Sequence, residues 1–181
     1  MSTGKTRGLR GSILEDMINQ TNEVYLEKGL ALVQKIPTPI TPITMDQKTK
    51  HITLAYFDQK STVDYIGAVQ GIPVCFDAKE CAQDTFSLQN IHEHQFQFMT
   101  DFEKQGGVAF VLILFTDRND MYYMRYQELK SYIDRVAEGH AKNFKYNELD
   151  DDYFIHAKGP ALVHYLEGLN LDLSSRPEND E

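Results

Sequence analysis

Apolar residues recur at helical spacing over positions 12–28, where Ile13, Leu14, Met17, Ile18, Val24, Tyr25 and Leu26 follow one stripe. Ser12 with Glu15 three residues on predicts a capping box at the start, and Gly29 a stop at the end. Leu30–Lys35 reads as a strand. Pro37, Pro39 and Pro42 then exclude a helix and a central strand, so 36–44 is expected to be an extended, projecting arm. His51–Phe57 reads as the strand returning from it. Thr62–Val69 and Ile72–Lys79 are β-rich runs on either side of Gln70-Gly71, followed by a loop over 80–86. Ser87–Lys104 is expected to be a helix, with Leu88, Ile91, Gln95, Phe98, Met99 and Phe102 on its apolar stripe. Val108–Phe115 is apolar throughout, as a strand buried on both faces must be. Met121–Tyr126 reads as a strand and Gln127–Ala137 as a helix. Beyond that the pattern fades, with strand character at Tyr153–His156 and a final helix at Pro160–Gly168. A helix over 87–104 between two strands is a crossover joining parallel neighbours, which makes an α/β layered domain.

The composition is that of a globular chain: 181 residues, 41% hydrophobic and 25% charged. No apolar run approaches the roughly 20 residues of a membrane span, and the first thirty residues lack a signal peptide's apolar stretch. Cys75 and Cys81 are too few for a disulfide scaffold or a four-thiolate zinc site, which fits a reducing cytoplasm. The net charge of −9 argues against nucleic-acid binding through overall charge. Its distribution changes that picture. Residues 148–181 hold two Lys/Arg against nine Asp/Glu, whereas residues 1–147 hold 16 against 18. The acidic C-terminal segment carries most of the excess. Local potential, not the sum, decides whether a phosphate ligand is attracted.

The chemistry lies around Gln70-Gly71. If these two residues form a hairpin loop, Asp64 stands opposite Asp77, and Lys79 lies two residues further along the same face. Val63, Tyr65, Val69, Ile72, Val74, Phe76 and Ala78 fall on the other face, which is the core side. Opposed carboxylates destabilise a hairpin unless something neutralises them, and a divalent cation would. Mg²⁺ takes oxygen ligands, keeps several waters and commonly shares its shell with a phosphate. A neighbouring ammonium suits metal-assisted phosphodiester hydrolysis. The plainer reading is an exposed sheet face with an Asp–Lys pair. Pro73, which lacks a ladder donor, is the residue that could introduce a bulge and shift the register.

Asp64…Asp77-Ala78-Lys79 resembles the core of the PD-(D/E)xK nucleases, and the surrounding text is similar to the RecU Holliday-junction resolvases. The matching stretches are Arg10-Gly-Ser-Ile-Leu-Glu15, Thr21-Asn22, Lys35-Ile-Pro-Thr-Pro39, Ala55-Tyr-Phe57, Ser61-Thr-Val-Asp64-Tyr65, Phe76-Asp-Ala-Lys-Glu80, Phe86-Ser-Leu-Gln-Asn-Ile-His-Glu-His-Gln95 and the run Phe110–Asp117. They cover residues 8–135 in unbroken order. The resemblance implies a restriction-endonuclease-like core, a mixed β-sheet flanked by helices with a Pro-rich stalk projecting over 36–52. It places a nuclease domain at 1–150 and leaves 151–181 as an acidic segment, part of the same domain or a tail. It implies a Mg²⁺- or Mn²⁺-dependent homodimeric endonuclease that cuts four-way junction DNA in recombination and repair, in the cytoplasm at the nucleoid. Asp64, Asp77 and Lys79 match the catalytic acid, acid and lysine. Glu15 matches an acid that completes the metal shell, and Ala78 would lend its carbonyl.

Other residues have two readings. Glu15 is equally the acidic member of the capping box, and Gln95 is either a support of the active site or a satisfied buried amide. His92 and His94 face different sides of a helix and read as surface residues, and Cys75 as a packing residue. Glu80 points away from the site or into the loop. Lys5, Arg7 and Arg10 on a terminal arm, with Lys35, Lys48, Lys50 and Lys60 near the stalk, are the candidate DNA contacts. The stalk has few basic groups, and Val63 stands where relatives can carry Thr. Two other functions therefore stay open: a phage or restriction-type nuclease acting on other branched or duplex DNA, and a non-catalytic junction-binding protein whose acidic tail meets a protein partner.

Overall fold

The computed structural model describes residues 12–57, 62–157 and 159–177. Ser12 starts α1 (Ile13–Glu27) as its side chains require: the Ser12 hydroxyl accepts from the Glu15 N–H at 3.1 Å, and the Glu15 carboxylate accepts from the Ser12 N–H at 3.4 Å. The helix buries Leu14, Ile18 and Tyr25 on one stripe. A six-stranded sheet follows, in the order β1-β4-β5-β7-β8-β10. Its strands are β1 (Ala31–Lys35), β4 (Tyr65–Val69), β5 (Ile72–Cys81), β7 (Val108–Phe115), β8 (Asp120–Arg125) and β10 (Phe154–Ile155). All pairings are antiparallel except β5 with β7, which the crossover helix α2 (Glu93–Lys104) joins in parallel. Every residue of β7 is buried. Mixed sheet and flanking helices are the α/β class that the pattern predicts.

The β4–β5 turn fixes the register. Gln70 (φ 48°) and Gly71 (φ 91°) are both left-handed, the geometry of a type I′ two-residue hairpin. Val69 pairs with Ile72, Ile66 with Cys75 and Tyr65 with Phe76, without a shift. Pro73 introduces no bulge. In such a hairpin the closing pair Val69–Ile72 is hydrogen-bonded and the next, Ala68–Pro73, is not. The missing N–H of Pro73 thus faces away from β4, and the β7 ladder on that side begins only at Val74.

Side chains from four adjacent strands stack through the core. Tyr65, Phe76, Phe110 and Tyr123 have successive ring centroids 4.8, 4.6 and 4.4 Å apart, and none is exposed. The last helix, α4 (Tyr165–Ser175), lies over this row. Gly168 permits the approach, since a Cβ there would sit 2.6 Å from the Tyr123 ring. Gly168→Ala is therefore expected to destabilise the protein by about 1–3 kcal/mol through overpacking, although alanine is favoured by about 1 kcal/mol in a helix. A thermal melt decides the sign, and a raised midpoint would contradict this packing.

The Pro-rich segment builds a separate two-stranded ribbon, β2 (Ile40–Met45) with β3 (Ile52–Phe57), which extends beyond the stalk expected at 36–52. Pro42 is accommodated because among the described residues β2 has no strand on its other side, and the pairing shifts between Pro42 and Thr44. The Asp46 carboxylate ties the turn by accepting from the N–H groups of Lys48 and Thr49, each at 2.8 Å. Most ribbon side chains are exposed, among them Ile43, Leu54 and Phe57.

Several expected boundaries move. The helix expected from Ser87 is broken: Ser87 caps a single 3-10 turn (Leu88–Asn90), Ile91 and His92 are extended, and α2 restarts at Glu93. The restart comes from Gln95, whose side-chain oxygen accepts from the His92 N–H at 3.1 Å. The loop expected at 80–86 is shorter, because β5 runs alongside β7 as far as Cys81. Thr85–Ser87 forms β6, paired with β9 (Asn143–Lys145), with Phe86 stacked on Phe144. The strand expected from Thr62 begins only at Tyr65. Helix α3 (Tyr126–Ala137) falls where expected. The final helix, expected at Pro160–Gly168, occupies Tyr165–Ser175, because Ala161 and Val163 are spent as buried loop residues. Asp172 is on its buried face. Among the described residues no helix is long and apolar enough to cross a membrane.

Candidate active site

Asp64 lies one residue before β4, where the β4–β5 ladder runs out at Tyr65–Phe76. Two carboxylates continue the ladder. The Asp64 N–H donates to Asp77 Oδ1 at 2.9 Å, and the Ala78 N–H donates to Asp64 Oδ2 at 2.9 Å. Each acid therefore holds the other's strand, and the two face each other as the register requires. Lys79 Nζ stands 2.9 Å from Asp77 Oδ2. That contact is one of charge: Asp77 Oδ2 is buried with no aligned hydrogen-bond donor. The acid–acid–lysine set expected from the sequence is thus assembled.

Its surroundings exclude the plainer reading of an exposed sheet face. Cys75 and Asp77 are both fully buried, on a face covered by α2, and the mouth of the site lies at Asp64 and Lys79. The physical consequence is a carboxyl out of place in water's absence. Burial pushes Asp77 up to about 6, and the Asp64 charge adds to the rise, while the Lys79 ammonium opposes it. Lys79 is the one positive charge acting on Asp77 among the described residues, and Asp64 adds a second negative charge beside it.

The donor set fits a hard divalent cation. Asp77 Oδ2 lacks an aligned donor, and Asp64 Oδ1 makes no hydrogen bond among the described residues. No three His, Cys, Asp or Glu side chains converge to hold an ion by themselves among the described residues. A shell of two carboxylates, backbone oxygen and water is what Mg²⁺ accepts and what zinc does not favour.

The first turn of α1 borders this mouth. Glu15 performs its capping-box role and pairs with Lys35 at 2.7 Å, while Ile36 N–H donates to the Asp64 carbonyl at 2.8 Å. The Tyr65 hydroxyl donates to the Glu15 carbonyl at 3.4 Å and to Asn19 Oδ1 at 3.1 Å. Burial raises the Tyr65 hydroxyl, and the charges of Glu15, Asp64 and Asp16 add to the rise. Lys35 is consequently partnered by an acid.

Glu80, set aside on the sequence, points to the α1 side as alternation requires, and its Oε1 accepts from the Leu14 N–H at 2.9 Å. The signal for it was an acid on the strand face that meets a helix N-terminus. Gln95 is buried on α2 and its oxygen is used in the helix cap. His92 and His94 do not face different sides of a helix as expected: His92 is extended at the N-cap of α2, and the two rings stack with centroids 5.5 Å apart. Lys48 and Lys50 stand at the exposed ribbon turn, remote from the acid pair in the topology. Lys5, Arg7, Arg10 and Lys60 lie outside the described residues.

Residues 9–171 match the family model described as RecU, recombination protein U. The Holliday junction resolvase RecU of Leuconostoc mesenteroides is 46% identical over 138 residues, covering 71% of this chain and 68% of its own. The proteins of the same name from Lactococcus lactis and Levilactobacillus brevis are 38% and 36% identical, over 93% and 96% of this chain and 83% and 89% of theirs. Among solved structures, Archaeoglobus fulgidus Hjc, a Holliday junction resolvase, overlaps 62% of this chain and 74% of its own at a TM-score of 0.36 and 9% identity.

Proposed function

Because the chain belongs to the RecU family, we propose that it is an endonuclease that resolves four-way DNA junctions by metal-dependent phosphodiester hydrolysis. The observation that carries the reading is the reciprocal bonding of Asp64 and Asp77 with Lys79 at the open end. Asp64 and Asp77 would hold Mg²⁺ or Mn²⁺, with the Ala78 carbonyl and Glu15 completing the shell. The ion, when bound, supplies the positive charge that the phosphorane transition state needs.

The chain's own groups do the rest. Asp77 is fixed at Oδ1 by the Asp64 N–H, which leaves Oδ2 beside the Lys79 ammonium. Lys79 extends from a central strand paired along its length with β7, so its ammonium is held in place to orient the attacking water and to steady charge on the scissile phosphate. Gln95, buried on α2, would support the covered side of the site. The β2–β3 ribbon, with Lys48 and Lys50 at its turn, would reach toward the junction, and Lys5, Arg7, Arg10, Lys35 and Lys60 would add phosphate contacts. Two copies of the chain, acting as a homodimer on nucleoid DNA, would give paired nicks. The nuclease unit would take in the segment after residue 150, since β10 joins the sheet and α4 packs on its core.

A mobile four-way junction in Mg²⁺, in competition with linear duplex, tests this. We expect paired nicks and a preference of more than about tenfold for the junction, about 1.4 kcal/mol. Equal cutting of both substrates would favour a duplex or flap nuclease, and binding without cutting would favour a non-catalytic junction protein.

A further inference from the structure

We propose that Glu80 is a positioning residue for the hydrolytic centre, holding the first turn of α1, and Glu15 with it, at the mouth of the acid pair. Alternation along β5 sends Asp77 and Lys79 to the α2 face and Glu80 to the α1 face. Its Oε1 accepts from the Leu14 N–H at 2.9 Å, one of the first-turn donors that no intrahelical carbonyl can satisfy. A carboxylate there also meets the positive end of the helix. Glu15 is the next residue. Its carboxylate is gripped by the Ser12 N–H and by Lys35 at 2.7 Å, and its carbonyl by the Tyr65 hydroxyl. The start of α1 is thus fastened at Lys35 on the edge strand and at Glu80 on the central strand. Glu80 follows Lys79 directly, so the strand that aims the lysine also sets the helix. Removing Glu80 frees one fastening, and Glu15 loses its place relative to Asp64.

The inference rests on the proposed metal role of Glu15, and the test separates the two. Single-turnover cleavage of a four-way junction in Mg²⁺, and Mn²⁺ affinity by calorimetry without DNA, are measured for Glu80→Ala, Glu80→Gln, Glu15→Gln and the Glu80→Ala/Glu15→Gln pair. Glu80→Ala is expected to lower both rate and affinity about tenfold while junction binding in EDTA is unchanged. Glu80→Gln, whose amide oxygen still accepts from Leu14, is expected to stay near wild type. In the Glu15→Gln background the Glu80 substitution should add almost nothing, since residues acting through one another are not additive. A wild-type rate and affinity in Glu80→Ala, or the same loss in both backgrounds, would overturn the assignment. Should Glu80→Ala fail to fold, Glu80→Ser, too short to reach Leu14, is read the same way. Asp77→Asn is assayed alongside. If it cleaves like wild type the hydrolytic reading itself fails; if it is inactive while Glu80→Ala is unimpaired, only the Glu80 assignment fails.

Discussion

Replacing Asp77 with Asn is expected to slow junction cleavage in Mg²⁺ by at least about 10³-fold, roughly 4 kcal/mol of lost transition-state stabilisation. Junction binding in EDTA should persist. The substitution keeps the acceptor for the Asp64 N–H and so leaves the hairpin intact. It removes the formal charge of the buried oxygen that has no aligned donor. The same burial predicts a pH signature. Asp77 rises from 3.8 to about 6 on folding, chiefly because it is withdrawn from water. The folded metal-free protein then holds this proton more tightly than the unfolded chain. Stability from this group is present below about pH 4 and declines as pH rises to about 6. A cation that binds the ionised, folded site reverses the decline. Mn²⁺ should therefore raise the melting midpoint more at pH 8 than at pH 5 in the wild type, and not in Asp77→Asn. A pH-independent rise, or an equal one in the variant, would place the ion elsewhere.

Arg176→Ala is expected to cost about 3 kcal/mol of stability, a fall of roughly 6–12 °C in midpoint for a domain of this size. The Arg176 guanidinium makes two hydrogen bonds of 2.9 Å with the Glu103 carboxylate and one of 3.1 Å with Asp172 Oδ1. Asp172 is 1% exposed and also accepts from the Tyr123 hydroxyl at 3.2 Å. Glu103 in turn accepts from the Ala109 N–H at 2.7 Å, where β7 begins. The arginine thus joins α4 and α2 to strands β7 and β8. Without it two neighbouring acids are left without their counter-charge. The guanidinium is about a quarter exposed, which keeps the cost at the lower end for a buried pair. Urea unfolding measures it, and a midpoint within 2 °C of wild type in a melt would show that the acids are relieved by solvent. Cleavage below the melting range should be unaffected, because among the described residues the cluster makes no hydrogen bond or ion pair with Asp64, Asp77 or Lys79.

The contrast between these two clusters explains what the sequence made legible. Asp64 and Asp77 were readable because a two-residue turn at Gln70-Gly71 dictates register, and register dictates which side chains meet. The parallel pairing of β5 with β7 followed from a helix between two apolar runs. Asp172 and Arg176 were not readable: acids in an acidic segment look solvated until a partner distant in sequence, here Glu103 and Tyr123, brings them inside. Strands β6 and β9 are three residues each and leave no periodic trace; a short antiparallel ladder and the buried Phe86–Phe144 stack hold them. The start of α2 was misplaced because His92 carries no usual capping signal, and the Gln95 side chain supplies it. Glu80 is not legible because alternation turns it away from the acids and nothing local marks what it meets. Its partner is a backbone N–H 66 positions earlier.

The most direct measurement is the anomalous difference map of a crystal of this protein soaked in Mn²⁺. The account predicts a peak within bonding distance of oxygens from both Asp64 and Asp77, which disappears in Asp77→Asn crystals. A well-soaked crystal with no peak between those carboxylates, or with its ion held elsewhere and unaffected by the substitution, would contradict it.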